Sequence, residues 1–268
     1  MKTTGKIYTG IIFALLYIPI IVIIFFSFNS SNSMAVFSGF SLKWYKELFR
    51  NAKAIDALVN SLILAVSSSV IATFLGTAAA VGIYNIRNKK LKSAIMTVTN
   101  IPMMNPDIVT GVSIMLLFAF GATLIGLRIF GFWTMLIAHI TFNLPYVILC
   151  VMPKLKQMDK NLPEAAMDLG CTPLQAFFKA EFFELLPGIA AGFLMSFTLS
   201  LDDFVISYFV AGESFQTLPI YIYSMTKKRV LPDMNALFSV IFIVIFLLLF
   251  IRNLLTKDSN HVKKPLNR

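Results

Sequence analysis

Apolar residues along this chain are grouped into six long runs, and polar stretches separate the runs. Each run holds roughly the 20 residues that a helix needs to cross the hydrocarbon core of a bilayer. We predict membrane-spanning helices over residues 7–28, 58–84, 93–120, 132–152, 186–211 and 235–255. The pattern therefore predicts an all-α, polytopic membrane protein with six transmembrane helices in a single membrane domain over residues 1–268.

Two of the runs carry features that bear on helix packing. The second run contains Ala78 and Gly82, whose small side chains at a four-residue spacing predict the close approach of another helix. The third run contains Pro102 and Pro106. We expect the helix to break or kink there, because proline cannot donate the backbone hydrogen bond of a helix.

The polar stretch over residues 153–186 has the sequence signals of two helices rather than of a loop. Asn161 suits a helix cap, and Gly170 can adopt the left-handed conformation that ends a helix. Thr172 can cap a second helix, which is expected to end at Pro187 and the glycine after it. We predict a helix–turn–helix segment here, called the elbow below, which a protein outside the membrane can bind.

The composition agrees with a membrane protein and indicates its orientation. The chain is 57% hydrophobic and 13% charged, whereas a soluble domain has about 25% charged residues. Its net charge of +10 fits the excess of Lys and Arg on cytoplasmic segments. With both termini and the elbow in the cytoplasm, fifteen of the 23 Lys and Arg residues lie on cytoplasmic segments and eight on external ones. A basic face with aromatic readers, which nucleic-acid binding needs, is not evident.

No pattern in the sequence points to catalysis or to a bound cofactor. The one Gly-Lys pair, Gly5–Lys6, lies too near the first residue for a phosphate-binding loop, so another chain would have to bind any ATP that is used. Cys150 and Cys171 have no metal-ligand spacing and are not expected to form a disulfide. No catalytic set of Ser, His and Asp is evident, and we expect His139 to be an interhelical polar group.

The elbow resembles the EAA loop of ABC-importer permeases, the segment by which the membrane subunit docks into its cytoplasmic ATPase. The order E-A-A-x-x-x-G of that motif is present, and Ala180 stands at a later position where the family has Ile. The resemblance implies that the residues coupling this chain to an ATPase are Glu164, Ala165, Ala166, Asp168 and Gly170.

Six segments between residues 41 and 225 resemble the spermidine/putrescine permeases of ABC importers. They are SLKWYKELF, NPDIVTGVS, HITFNLPYV, LPEAAMDLG, SFTLSLDDFVISYFV and LPIYIYSM. The resemblance implies the type I, MetI-like permease fold in a bacterial cell membrane, with no enzymatic activity in this chain. It also implies a second homologous permease, two copies of an ATPase that binds ATP and magnesium, and an extracellular polyamine-binding protein.

Acidic residues next to or inside apolar runs mark a candidate substrate path, because a buried charge is costly unless it faces a cavity or a partner. Carboxylates and aromatic faces suit the ammonium groups of a polyamine. The candidates are Trp44, Asp107, Ser200, Asp202, Asp203 and Tyr208. Adjacent helix residues point about 100° apart, so we expect one of Asp202 and Asp203 to face the pore. Asp107 has an alternative role as a helix cap, and Trp44 as an anchor at the membrane interface.

Two other functions stay open at this point. One is an ABC permease for iron, phosphonate or another small solute, and the other is a secondary transporter or channel that works alone. An anion carrier would be expected to place Arg or Lys in its spans, and the predicted spans between residues 58 and 211 contain neither. A secondary transporter predicts internal repeats with broken helices in both halves, whereas one clear break and no repeat are evident. We therefore favour the polyamine importer.

Overall fold

The computed structural model describes residues 3–31, 36–126, 130–159, 161–213, 215–228, 234–243 and 246. Its helices are α1 Thr3–Ser27, α2 Lys43–Arg50, α3 Ala52–Asn85, α4 Lys89–Met104, α5 Asp107–Ile125, α6 Phe132–Gln157, α7 Leu162–Asp168, α8 Pro173–Ala176, α9 Phe182–Asp202, α10 Val205–Val210, α11 Leu218–Lys228 and α12 Met234–Ile243. A π-helical turn, Phe177–Glu181, joins α8 to α9. Within these ranges no strand is present beyond one isolated bridge between Asn29 and Phe40. The all-α class is confirmed.

Five helices of the described ranges are long and apolar enough to cross a membrane. They are Gly5–Ser27, Ala52–Asn85, Asp107–Leu124, Phe132–Gln157 and Pro173–Asp202, and they fall on the first five predicted spans. The sixth predicted span, residues 235–255, is represented by the shorter apolar helix α12. The remainder of that span lies outside the described residues except for Phe246, and so does the predicted polar tail from Thr256 onward.

The backbone divides into two compact units, Met1–Ile55 with Ile222–Arg268, and Asp56–Tyr221. The single membrane domain over the whole chain therefore stays a prediction. In the first unit, α2 is fixed by Trp44, which is only 5% exposed. Its indole nitrogen donates a hydrogen bond of 2.6 Å to the carbonyl of Asn29, just after α1.

Helix α6 lies at the centre of the second unit, and it is the most buried of the five membrane-length helices. One apolar cluster joins its C-terminal half to α3 and α9, through residues that include Val147, Ala72 and Leu185. A second cluster joins its N-terminal half to α3 and α10, through Met135 and Ile206 among others. The unit is thus held by apolar packing around one central helix.

Glycines allow α3 and α9 to approach α6 closely. A Cβ atom on Gly76 of α3 would lie 2.7 Å from the Cβ of Val147, a separation at which the neighbour must shift. A Cβ atom on Gly192 of α9 would lie 3.2 Å from the Cγ1 of the same valine. Val147 therefore packs into space that is available because Gly76 and Gly192 have no side chains.

In the part of the chain that the structure describes, no helix makes the close approach predicted at Ala78 and Gly82. Both residues are exposed, and a Cβ atom on Gly82 would meet nothing within 4 Å. The tight contact of α3 lies instead at Gly76, on the buried face. Small-residue spacing finds a helix face that permits close packing, but it does not say which face a neighbour uses.

The break predicted in the third run is present between α4 and α5. It lies at Asn105, whose backbone is extended (φ −78°, ψ 142°), because the residue before a proline is disfavoured in the helical conformation. Pro106 follows it and caps α5. Pro102, by contrast, lies inside α4 and does not end it.

We predict that Gly76→Ala lowers the stability of the folded protein, because the new methyl group overpacks the contact with Val147. Overpacking of this kind costs about 1–3 kcal/mol. The matched control is Gly82→Ala in the same helix, which adds a methyl group in open space and is expected to be neutral or stabilising by up to about 1 kcal/mol. Thermal unfolding of the two variants in detergent measures the difference. Equal midpoints for Gly76→Ala and the control would contradict the packing described here.

Candidate functional site

The turn of the elbow is built around Gly170, which has a φ of +86°. Its amide donates a hydrogen bond of 2.9 Å to the carbonyl of Met167, and the amide of Cys171 donates one of 3.2 Å to the carbonyl of Ala166. These two bonds form a Schellman motif, which needs a left-handed residue at the position of Gly170. The predicted turn glycine is therefore the residue that ends α7.

The second half of the elbow starts with a reciprocal cap. The Thr172 hydroxyl accepts a hydrogen bond from the amide of Gln175, and the Gln175 side chain accepts one from the amide of Thr172. This capping box satisfies two amides that the first helical turn leaves without partners. The predicted cap at Asn161 is different, because that residue occupies the cap position of α7 but its side chain makes no capping bond.

The elbow continues without interruption into the fifth membrane span, which corrects two predicted boundaries. The helix was expected to end at Pro187, with a new span over residues 186–211. In the structure one helical segment runs over Pro173–Asp202, and Pro187 lies inside it. Proline removes one backbone hydrogen bond from a helix, but Gly188, the next residue, is buried against Cys150 and Lys154 of α6. Packing on α6 thus holds the helix together across the proline.

The residues of the E-A-A-x-x-x-G pattern lie on the outer surface of the elbow. Glu164, Ala165, Asp168 and Gly170 are exposed, and Ala166 is half-buried. Leu169, between Asp168 and Gly170, is 88% exposed. These residues are therefore accessible to another protein.

The fifth span breaks at the two aspartates, which sequence reasoning had placed in the middle of a continuous helix. Helix α9 ends at Asp202, and the backbone of Asp203 is extended (φ −65°, ψ 121°). The Asp203 carboxylate then accepts hydrogen bonds from the amides of Ile206 (3.2 Å) and Ser207 (2.7 Å), in the first turn of α10. The predicted span over residues 186–211 is therefore two helices, and Asp203 caps the second.

Asp203 also belongs to a buried polar network centred on His139 of α6. The Nε2 atom of His139 lies 3.4 Å from a carboxylate oxygen of Asp203 and 3.0 Å from the Ser207 hydroxyl. Its Nδ1 atom lies 2.6 Å from the Ser200 hydroxyl, which in turn lies 2.9 Å from the Ser68 hydroxyl. Four helices (α3, α6, α9 and α10) meet in this network.

A grouping of Ser, His and Asp is thus present, although none was evident in the sequence. Ser200 and Asp203 lie in the fifth run and His139 lies in the fourth, so no local motif connects all three. Ser200 is 4% exposed and His139 is fully buried, so a substrate could not reach the hydroxyl group. The expectation that His139 serves between helices agrees with these contacts, and the network is suited to holding helices rather than to catalysis.

The other acidic and aromatic candidates of the second unit are exposed. Asp202 is exposed beside the buried Asp203, and Tyr208 of α10 is 48% exposed. Asp107 is exposed as the first residue of α5.

Two further candidates are not exposed to a ligand in this structure. Ser200 is engaged by His139 and Ser68. Trp44 belongs to the first unit, is buried, and has the ammonium group of Lys43 4.8 Å from the centre of its ring. Its alternative role as an anchor at the membrane interface stays a prediction.

Comparison with solved structures defines the class of the fold. A bacterial ABC transporter involved in the import of the acidic polysaccharide alginate matches with a TM-score of 0.73 at 16% identity, covering 97% of this chain and 96% of that chain. An amino acid ABC transporter matches with a TM-score of 0.55 at 18% identity, covering 81% of this chain and 98% of that chain. The fold is the MetI-like permease fold of ABC importers, as predicted.

The chain belongs to the family of binding-protein-dependent transport system inner membrane components, whose model matches residues 72–257. It is 41% identical to the spermidine/putrescine transport system permease protein PotC of Escherichia coli strain K12, over 92% of this chain and 91% of that protein. The PotC protein of Haemophilus influenzae is 38% identical over 94% of this chain and 95% of its own length. The putrescine transport system permease protein PotI of E. coli K12 is 38% identical over 85% and 82%.

Proposed function

We propose that this chain is a membrane-spanning permease subunit of an ATP-driven importer that carries spermidine or putrescine into the cytoplasm. The observation that carries the proposal is the 38–41% identity to the PotC proteins over more than nine-tenths of both chains. The exposed carboxylates of the second unit fit this substrate class. The proposal gives the chain no catalytic residue, and ATP and magnesium are bound by a partner ATPase.

The partners follow from the mode of action of such an importer. A second, homologous permease completes the pathway, two copies of a cytoplasmic ATPase supply the energy, and an extracellular binding protein delivers the polyamine. The positive-inside bias places both termini and the elbow in the cytoplasm. ATP binding and hydrolysis then move the elbow, and the pathway alternates between outward and inward access.

Charge and exposure support Asp107 and Asp202 as the residues that the polyamine meets. Each ammonium group is stabilised by a carboxylate, and the exposed face of Tyr208 can stack against the cationic centres. Several weak contacts along a path allow passage, whereas one deep binding site would hold the substrate and slow its release. We assign Asp203 and Ser200 a supporting role in the same path, because they hold together the helices that form it. In the conformation described here they are buried, and we do not assign them direct contact with the substrate.

The function is tested with the assembled transporter in liposomes, using radiolabelled spermidine and putrescine. ATP-dependent uptake that needs the binding protein supports the proposal. Uptake of iron or a phosphonate, with none of either polyamine, would refute it. Uptake by this subunit alone along an ion gradient would instead indicate a secondary transporter.

We predict that Asp202→Asn lowers spermidine uptake by about tenfold or more, because loss of a charged hydrogen-bond partner costs about 1.5–3 kcal/mol. Asp107→Asn is expected to act in the same direction. Asp56→Asn, at an exposed position of α3, is the control and should transport normally. Initial rates at several spermidine concentrations give the comparison. Normal uptake by both Asp202→Asn and Asp107→Asn would remove them from the path.

We also predict that Gly170→Ala weakens the coupling of ATP hydrolysis to uptake, because a left-handed backbone costs an L-residue about 1–2 kcal/mol. The matched control is Gly126→Ala at the end of α5. That glycine has a φ of +73°, and at both positions a Cβ atom would meet nothing within 4 Å. The two variants therefore carry similar strain at different places. Polyamine transported per ATP hydrolysed should fall only for Gly170→Ala, and an equal fall in both would contradict the role of the elbow.

A further inference from the structure

The break between α9 and α10 lies at a polar side chain, that of Asp203. Neither glycine nor proline is present at residues 201–206, where the helix stops and restarts. Such breaks usually occur at proline, glycine or an inserted polar group. Here the extended backbone of Asp203 is accompanied by its own carboxylate, which accepts two amide hydrogen bonds from the next helix.

The Asp203 carboxylate is itself held in place from another helix. It is 8% exposed, and a nitrogen of the fully buried His139 lies 3.4 Å from it. The other ring nitrogen of His139 is within 2.6 Å of Ser200, near the end of α9. One imidazole ring thus contacts the last turn before the break, the capping carboxylate, and Ser207 in the first turn after the break.

We propose that His139 is a positioning residue that holds Asp203 as the cap of α10 and so keeps the helix broken at this point. Asp203 then serves as a structural carboxylate, and its neighbour Asp202 is the one that stays exposed for the ammonium group of the substrate. This division between the two aspartates rests on the proposed function, whereas the role of His139 in the break does not.

The proposed roles of Asp202 and Asp203 predict different effects when each aspartate is replaced by asparagine. A cap needs an oxygen acceptor and not a charge, and asparagine keeps one of the two oxygens by which Asp203 accepts from Ile206 and Ser207. Asparagine can therefore still cap α10, through the shorter bond from Ser207. A carboxylate that binds an ammonium group needs its charge, and asparagine cannot replace it. In the same way, glutamine can donate to Asp203 and accept from Ser200 in place of His139, whereas leucine can do neither.

The first experiment measures the break directly and requires no substrate. Spin labels are placed on exposed positions on either side, at Leu194 and Glu213, in the assembled transporter with Cys150 and Cys171 replaced by serine. At about 1.5 Å per residue, a helix of six residues such as α10 is about 9 Å long, and its reorientation moves its far end by several ångström. We expect His139→Leu and Asp203→Ala to shift or broaden the distance distribution, Asp203→Asn to change it less than Asp203→Ala, and His139→Gln and Asp202→Asn to leave it unchanged. An unchanged distribution in His139→Leu would overturn the proposal.

The second experiment measures uptake in liposomes. Asp202→Asn should lose about tenfold or more of the uptake rate, while Asp203→Asn keeps most of it. His139→Leu and Asp203→Ala should each lower the uptake rate, and the double variant should be no worse than the more severe single variant. His139→Gln should keep an uptake rate close to that of the unmodified protein. A loss in Asp203→Asn as severe as that in Asp202→Asn, with the spin-label distances unchanged, would show that Asp203 acts by its charge and overturn the assignment. If neither polyamine is transported by the unmodified protein, the proposed function fails, and the distance measurement still decides the role of His139.

Discussion

One helical segment connects the elbow to Asp202 and Asp203. It starts at the cap of Thr172 and ends at Asp202, and it includes the π-helical turn and Pro187. A helix of 30 residues is about 45 Å long at 1.5 Å per residue. Because a helix is stiff along its axis, movement at one end displaces the other end, and the position of each site depends on the other.

The packing of this helix explains how it tolerates its weak points. Gly188 and Gly192 of α9 lie against α6, so the backbones of the two helices are close where Pro187 has removed a hydrogen bond. At the far end the helix stops where His139, from the same central helix, holds the Asp203 carboxylate. Helix α6 therefore supports this helical segment near its middle and defines where it ends. A buried carboxylate that accepts amide hydrogen bonds and faces an imidazole also avoids the large cost of an unpaired charge.

Much of this architecture could be predicted from the sequence because the signals are local. Apolar runs of span length, the glycine of the Schellman turn and the break before Pro106 each depend on a few neighbouring residues. The site was predictable only in part. Asp107 and Asp202 were found as acids at apolar runs, and both are exposed. The cap formed by Asp203 was missed because residues 186–211 form one uninterrupted apolar run, although its partners Ile206 and Ser207 are close in the chain. The contact of Asp203 with His139 could not be found, because His139 is 64 positions away and belongs to another span.

Two other differences between the prediction and the structure also arise from contacts between segments that are far apart in the chain. Pro187 with Gly188 is a local stop signal, and contact with α6 overrides it. Gly76 and Gly82 are equivalent in a sequence pattern, but only Gly76 faces Val147. Contacts between distant segments determine where this helix ends and which glycine packs closely, and these contacts cannot be predicted from local patterns in a single sequence.

The most direct test of the connection between elbow and acids is to interrupt the helix between them. Ala190 is exposed on α9, and Ala190→Pro removes a second backbone hydrogen bond one turn from Pro187, with Ala190→Ser as the control. The quantity to measure is polyamine transported per ATP hydrolysed by the assembled transporter. We predict that the proline variant still hydrolyses ATP but transports little polyamine, whereas the serine variant keeps both activities. Full coupled transport by the proline variant would show that the continuous helix does not carry the movement.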